Sequence, residues 1–354
     1  MANKILYIGN DILDVNCGAD AVNKMNIGCL RSIFSDDLII MPLTQNSILD
    51  KFRRYVGGVN SLIEEKILQI LSLGGFQYVF LSNSLMGRVA KKIKDKFPNI
   101  QIVVFYHNIE TYYAKELIKT HGIKHYFFYF NALFNETLAS RFSDVRISLN
   151  LRDSNLLEKL YKVKANEIIP VSYKDNFDSM KVIKDFPDGH TYLFVGTSFF
   201  ANIEGIRWFI KKIMPNVHGK LIIVGNGMEN FKSEFSSDRT IVHGYVDNLA
   251  DYYYGSSFVI APIFVGGGMK TKIAEAVMYG KTVIGTKEAF EGYFPNNNVL
   301  LECNTEDEFI NKINQIENNK LMYNFDARKY FLDYYSEQGT LRKFHEIFKK
   351  SDHL

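Results

Sequence analysis

Short apolar runs alternate with helical patterns along the chain, and this alternation limits the possible folds more than any other feature. KILYIG (4–9) reads as a first buried strand, followed by the loop DILDVNCGAD and a helix from about Ala21 to Phe34. Strand-like runs recur at 38–42, 77–82, 101–106, 145–149 and 168–171, with helical periodicity between them. A parallel strand pair needs a crossover, and a helix usually supplies it, so this order predicts a parallel sheet. The pattern restarts at 191–195 and continues at 220–224, 240–242, 257–261 and 282–285, with helices near 202–213 and 270–279.

The expected class is therefore α/β, with two Rossmann-like doubly wound domains and a cleft between them. The length, 354 residues, also exceeds what one hydrophobic core usually serves. Residues 1–172 form the first domain, 173–190 a polar linker with late Pro and Gly, and 191–325 the second domain. Residues 326–354 read as terminal helices rich in Tyr, Phe and Lys, expected to return to the first domain.

Composition excludes several classes. No apolar run approaches the ~20 residues that cross a bilayer, and the N-terminus lacks the apolar core and cleavage site of a secretory signal, so a cytoplasmic protein is expected. Cys17, Cys29 and Cys303 are too scattered for a disulfide framework or a zinc knuckle. A net charge of +3 is too small to argue for nucleic acid. The excess lysine and arginine sits in the first half, as Lys51/Arg53/Arg54, Lys91/Lys92/Lys94/Lys96 and Lys119/Lys124, beside the aromatic stretch YFFYFNALF (126–134). That pairing suits a peripheral contact with anionic membrane at the inner face of the cell membrane. The plainer reading, which the sequence favours, is solvated lysines around an aromatic helix packed in a core.

The segment VGGGMKTKIAEAVMYGKTVIG (265–285) carries the most chemical information. Gly266, Gly267 and Gly268 let the backbone approach a ligand closely. With Met269 they lead into a helix whose first N–H groups lack intrahelical partners. Lys270 and Lys272 stand at this positive helix end, where a structural helix would avoid them and a bound phosphate would explain them. Glu275 shares a face with Lys272 and can accept from both hydroxyls of a ribose diol. The plain alternative is a flexible loop with a surface Lys272–Glu275 pair.

Two imitations are set aside. YGKT (279–282) ends like a phosphate-binding loop, but Glu275 stands where the required glycine belongs, so Gly280 is read as a helix C-terminal glycine. VGNGMEN (224–230) has Asn230 in place of the third glycine of a dinucleotide fingerprint and is read as a tight turn. No Asp-x-Asp follows a strand to hold a divalent cation, so no metal or other cofactor is expected.

The C-terminal half, from FVGTSFFANIEGIRWF (194–209) through KLIIVGNGM (220–228), IVHGYVDNLADYY (241–253) and the glycine segment to EGY (291–293), resembles the group 1 glycosyltransferases, retaining family 4, of GT-B architecture. The resemblance implies a donor site for a nucleotide-diphosphate sugar in this half and acceptor binding by the first. Gly196 and Thr197 would lie over the diphosphate, Tyr245 and Val246 beside the nucleobase, Lys272 on the phosphates and Glu275 on the ribose. Two departures stand out. Many members pair two glutamates with seven residues between them, and the earlier position here is Gly267. Many place Arg after the strand glycine and Lys a few residues on, where this chain has Thr197 and then Asn202 and Ile203.

In the N-terminal half, Gly18 and Ala19 precede the first helix on a loop that in the family approaches the donor phosphate, and Cys17 beside them reads as a small filler. His107 ends a buried strand within the family-like run His107–Asn108–Ile109–Glu110. The resemblance implies that His107 contacts the donor sugar and that Glu110 fixes the loop or binds acceptor. The plain readings are a structural histidine and a helix-entry carboxylate. Ser148 and Asn150 are weaker candidates, with Asp153 read as the cap of the next helix.

Together these features predict metal-independent transfer of a hexose-type sugar to a glycan, lipid-linked or protein-linked acceptor, in bacterial surface polysaccharide or glycoconjugate synthesis. Alternatives are a non-catalytic glycosyltransferase-like partner subunit, and an epimerase or phosphorylase of the same architecture.

Overall fold

A computed structural model describes residues 4–9, 18–43, 61–182, 189–266, 268–319 and 323–349. The chain divides into two compact units, Met1–Ser172 with Thr340–Leu354, and Tyr173–Gly339.

The first unit contains β1 (Lys4–Gly9), α1 (Gly18–Phe34), β2 (Leu38–Pro42), α2 (Ser61–Ser72), β3 (Phe76–Leu81), α3 (Gly87–Lys96) and β4 (Gln101–Tyr106). It continues with α4 (Glu110–His121), α5 (Tyr126–Phe142), β5 (Val145–Ser148), α6 (Leu151–Tyr161) and β6 (Glu167–Ile168). Its sheet runs β2-β1-β3-β4-β5-β6, all parallel. Both faces are covered, which is why the strands read as unbroken apolar runs. Leu6, Ile8, Val79, Leu81, Ile102 and Val104 point into one core. Ile5, Tyr7, Tyr78, Phe80, Val103 and Phe105 point into the other.

The second unit repeats the plan with β7 (Thr191–Val195), α7 (Phe200–Lys212), β8 (Lys220–Val224), α8 (Lys232–Phe235), β9 (Thr240–His243), α9 (Ala250–Tyr254) and β10 (Phe258–Ala261). After these come α10 (Thr271–Met278), β11 (Val283–Gly285), β12 (Leu300–Glu302), α11 (Glu306–Asn319) and α12 (Phe325–Tyr334). Its parallel sheet has the order β12-β11-β10-β7-β8-β9. The last helix, α13 (Glu337–Lys349), enters the first unit from Thr340, where Phe344 and Phe348 join the core beside β1 and β3. Of the terminal helices, α12 therefore stays with the second unit.

The aromatic stretch 126–134 does not enter a core as a block. It opens α5, where Phe128 and Ala132 are buried and Tyr126, Phe127, Phe130 and Phe134 are exposed. The cap of α6 also differs from expectation. Asn150 is the N-cap, its Oδ1 accepting from the Asp153 N–H at 2.8 Å. Asp153, three residues later, accepts from Asn150 Nδ2 instead. Among the described residues, no helix is long and apolar enough to cross a membrane.

Candidate functional site

In the second unit, the C-terminal ends of β7, β8 and β10 bring the candidate residues of the glycine segment against those of the first turn. Gly196 follows β7, and its N–H donates to Val224 O of β8 at 2.9 Å. A Cβ on Gly225, the first residue after β8, would lie 2.0 Å from the Gly196 carbonyl oxygen. Gly225 also holds φ +154°. The two turns can therefore touch only with glycine at 225.

Onto this glycine contact α10 delivers Lys272. The side chain is only 8% exposed. Nζ donates to Asn202 Oδ1 at 2.9 Å and lies 4.1 Å from the centroid of the Phe194 ring. Asn202 is held in turn, its Nδ2 donating to Thr197 O at 2.9 Å. Burial pushes the Lys272 ammonium down to about 7, with Glu275 pulling it up and Lys270 pushing it further down. The ammonium thus rests on a neutral amide and an aromatic face beside an open glycine turn. This is not a solvated surface pair.

One turn along α10, half-buried Glu275 accepts from the Tyr253 hydroxyl at 2.9 Å. Burial raises its carboxyl above the usual range, against the pull of Tyr253 and Lys272. The helix begins at Thr271 with Lys270 as N-cap, and no side chain caps it. The Tyr293 hydroxyl donates to Lys270 O at 2.8 Å and accepts from the Ala274 N–H at 3.1 Å. The Ile273 N–H donates to Lys270 O at 3.0 Å. The Thr271 and Lys272 N–H groups lie in the first turn of the helix, where backbone donors have no acceptor within the helix.

Lys270 has a different setting from Lys272. Its ammonium is bound by Glu288 at 2.8 Å and lies 3.7 Å from Glu291. It ties the glycine segment to the loop after β11. Gly266 and Gly268 are exposed, Gly268 at φ +70°, and Gly267 lies outside the described residues. Met269 is half-buried and packs on the adjacent core. Thr197 is exposed, Tyr245 is 71% exposed, and Val246 packs at the edge of the same core.

The imitation motifs have structural explanations. Gly280 holds φ +66°, and the Lys281 N–H donates to Ala276 O at 3.0 Å, closing α10. Buried Lys281 donates to Ser256 O at 2.7 Å, beyond the end of α9. Gly225 and Gly227 form the turn after β8.

In the first unit, His107 follows β4. Its Nε2 is 3.0 Å from Oδ1 of buried Asn23 on α1, and its ring packs 5.0 Å from that of Phe105. Burial pushes the imidazole down to about 4, with the Ser82 backbone and Asp20 opposing the shift. The ring is therefore neutral at pH 7. Gly18 is the first residue of α1, while Cys17 and the Lys51/Arg53/Arg54 cluster lie outside the described residues.

Glu110 begins α4, and the carboxylate that organises this helix entry is Glu136, a residue the sequence reading missed. Fully buried on α5, Glu136 accepts from the N–H groups of Glu110 and Thr111 at 2.8 and 3.0 Å. It also accepts from the hydroxyls of Ser84 at 2.9 Å and Tyr161 at 2.8 Å. Its only signal in the sequence was an acid just after the aromatic stretch, between Asn135 and Thr137. Ser148 Oγ donates to Asn150 O at 3.1 Å, so these weaker candidates shape the loop into α6.

Residues 189–319 match the family described as "Glycosyl transferases group 1". A protein of Klebsiella pneumoniae, "Uncharacterized 44.6 kDa protein in cps region", is 24% identical, with 88% of this chain and 82% of that protein covered. Among solved structures, the chain is similar to sucrose-phosphate synthase of Thermosynechococcus elongatus, with TM-score 0.61, 14% identity, and 99% and 100% of the two chains covered. It is likewise similar to Anabaena Alr3699/HepE in complex with UDP, with TM-score 0.60, 12% identity, and 98% and 100% covered. The same protein in complex with UDP-glucose gives TM-score 0.57 at 13% identity, with 98% and 99% covered.

Proposed function

From the premise that this chain is a glycosyltransferase, carrying a group 1 domain at residues 189–319 on the GT-B fold, we propose that it transfers a hexose-type unit from a uridine-diphosphate sugar with retention at the anomeric carbon. The observation that carries this reading is the buried ammonium of Lys272 beside Gly196, one helical turn from Glu275. A diphosphate over the Gly196–Thr197 turn would replace the neutral Asn202 contact with an ionic one, and the Glu275 carboxylate would accept from the ribose hydroxyls. The UDP and UDP-glucose complexes of the Anabaena neighbour support the choice of nucleotide.

As the glycosidic bond breaks, negative charge gathers on the departing diphosphate. Lys272 and the first-turn N–H groups of α10 stabilise that charge, an electrostatic contribution that is stronger in the transition state than in the ground state. We propose that this cationic provision makes a divalent metal unnecessary. Lys270, held by Glu288 and Glu291, orders the glycine segment and adds positive potential. The departing phosphate oxygen takes the acceptor proton. Neutral His107 contacts the donor sugar, and Glu136 holds the entry of α4 that follows it.

The acceptor proposed is a lipid-linked glycan of a bacterial surface polysaccharide, and the reaction belongs on the cytoplasmic side of the membrane. The relative in a "cps region" favours this choice. The test is calorimetric titration of the protein with UDP in the presence of EDTA. Binding is expected, with strong loss in Lys272→Ala and Glu275→Ala. Unchanged affinity in both variants would sink the assignment.

A further inference from the structure

We infer that the outer face of α4 and α5, with the turn between them, is a docking surface for an anionic lipid membrane. Ile123, in the turn, is 83% exposed. On α5, Tyr126, Phe127, Phe130 and Phe134 are 47, 57, 61 and 55% exposed. Their spacing places Tyr126, Phe130 and Phe134 on one stripe of the helix, and the opposite stripe, Phe128, Ala132, Asn135, Glu136 and Ala139, is buried. A helix that covers one face and leaves aromatic rings in water on the other has an unpartnered surface, and such patches mark binding sites. Tyr126 and Phe130 stack, with ring centroids 6.3 Å apart, so these two rings form one apolar surface.

Charge selects the occupant. Exposed Lys115 and Lys119 on α4 and exposed Lys124 in the turn flank the aromatic stretch in sequence, and between Thr111 and Phe134 the sequence holds one acid, Glu116, which pairs with Lys119 at 2.7 Å. Lys115 and Lys124 make no ion pair among the described residues. Two copies meeting on this face would bring like-charged rims together. An anionic headgroup layer complements the lysines, while rings of this size seat at the headgroup level of a bilayer. The inference rests on the proposed function only for its purpose, bringing the enzyme to a lipid-carried acceptor, and its test is independent of the donor site.

The experiment is co-sedimentation of the full chain with vesicles of phosphatidylglycerol and phosphatidylcholine, and with vesicles of phosphatidylcholine alone. Binding to the anionic vesicles is expected, weakened by salt and by omission of phosphatidylglycerol. The double variants Phe127→Ser/Phe130→Ser and Lys115→Glu/Lys124→Glu should each lower the vesicle-bound fraction by roughly tenfold. Both should keep the wild-type melting temperature and UDP affinity, because the changed side chains lie outside the core and the donor site. Wild-type protein that stays in the supernatant with anionic vesicles overturns the proposal, as does wild-type sedimentation of both variants. A dimer that the serine variant dissociates without loss of vesicle binding assigns the face to a second copy and also overturns it.

Discussion

A methyl group on Gly196 would sit 2.8 Å from the Lys272 ammonium, so the turn after β7 and the helix after the glycine segment meet without room for a side chain. Gly196→Ala should therefore act on the ligand more than on the fold. The atoms in its way are the far ends of Lys272 and Asn202, 2.8 and 2.9 Å from the added carbon, and both can swing aside. UDP affinity is expected to fall with little change in melting temperature. Gly225→Ala meets the Gly196 backbone oxygen at 2.0 Å and an unfavourable φ. Its expected cost is about 3 kcal/mol or more, read by urea denaturation.

Lys272→Met should separate binding from stability. Loss of a charge-assisted contact worth about 1.5–3 kcal/mol lowers UDP-glucose affinity roughly ten- to 150-fold. The free protein is relieved of a buried ammonium and should melt at or above the wild-type temperature. Calorimetry of both quantities on one preparation checks the pair.

Donor binding should weaken as pH rises above about 7. In the free protein Lys272 loses its proton near that pH, while binding a diphosphate requires the ammonium, so the complex takes up a proton above it. UDP-glucose is the suitable ligand, because its diphosphate does not titrate in this range. The groups that modulate the profile are Glu275 and Lys270. Lys272→Met should flatten it. In the free protein the sign reverses: the folded pKa lies below the unfolded value, so stability rises with pH from about 7 toward the ordinary lysine value of 10.5.

His107 offers a second pH test, on the other unit. Its folded pKa of about 4 lies below the ordinary 6.5. The unfolded chain binds more protons between those values, and the stability conferred by the neutral ring is lost as pH falls through that window. Denaturation of wild type and His107→Ala at pH 7 and near pH 4.5 should show a smaller acid loss in the variant. His107→Ala should also lower kcat more than it raises KM.

Glu136→Ala should destabilise the chain by about 3–5 kcal/mol, because it strips two N–H groups and two hydroxyls of a buried acceptor. Glu136→Gln retains one acceptor oxygen and should lose less. Thermal unfolding of the two variants orders them.

The strands were legible because parallel strands covered on both faces are continuous apolar runs. LIIMP, QIVVFY, TYLFV and KLIIV fell within a residue of their observed limits. The three-residue β12 escaped because LLE is too short for a period. Gly196, Lys272 and Glu275 could be named because a glycine turn and a charged helix entry are local patterns. Their partners could not. Asn202 is 70 residues from Lys272, Tyr253 is 22 from Glu275, and Glu136 reaches back 26 to Glu110. Such contacts follow from tertiary packing and leave no periodic trace. Lys270 looked equivalent to Lys272 in sequence, but the carboxylates that engage it arrive from the loop after β11. The aromatic face of α5 was misjudged because apolar content alone does not say which side of a helix finds a partner.

A crystal structure of the protein soaked with UDP tests the donor site most directly. A phosphate oxygen is expected within hydrogen-bonding distance of Lys272 Nζ, above the Gly196–Thr197 turn, with the ribose hydroxyls on Glu275. Nucleotide bound elsewhere, with Lys272 still donating to Asn202, would contradict this assignment.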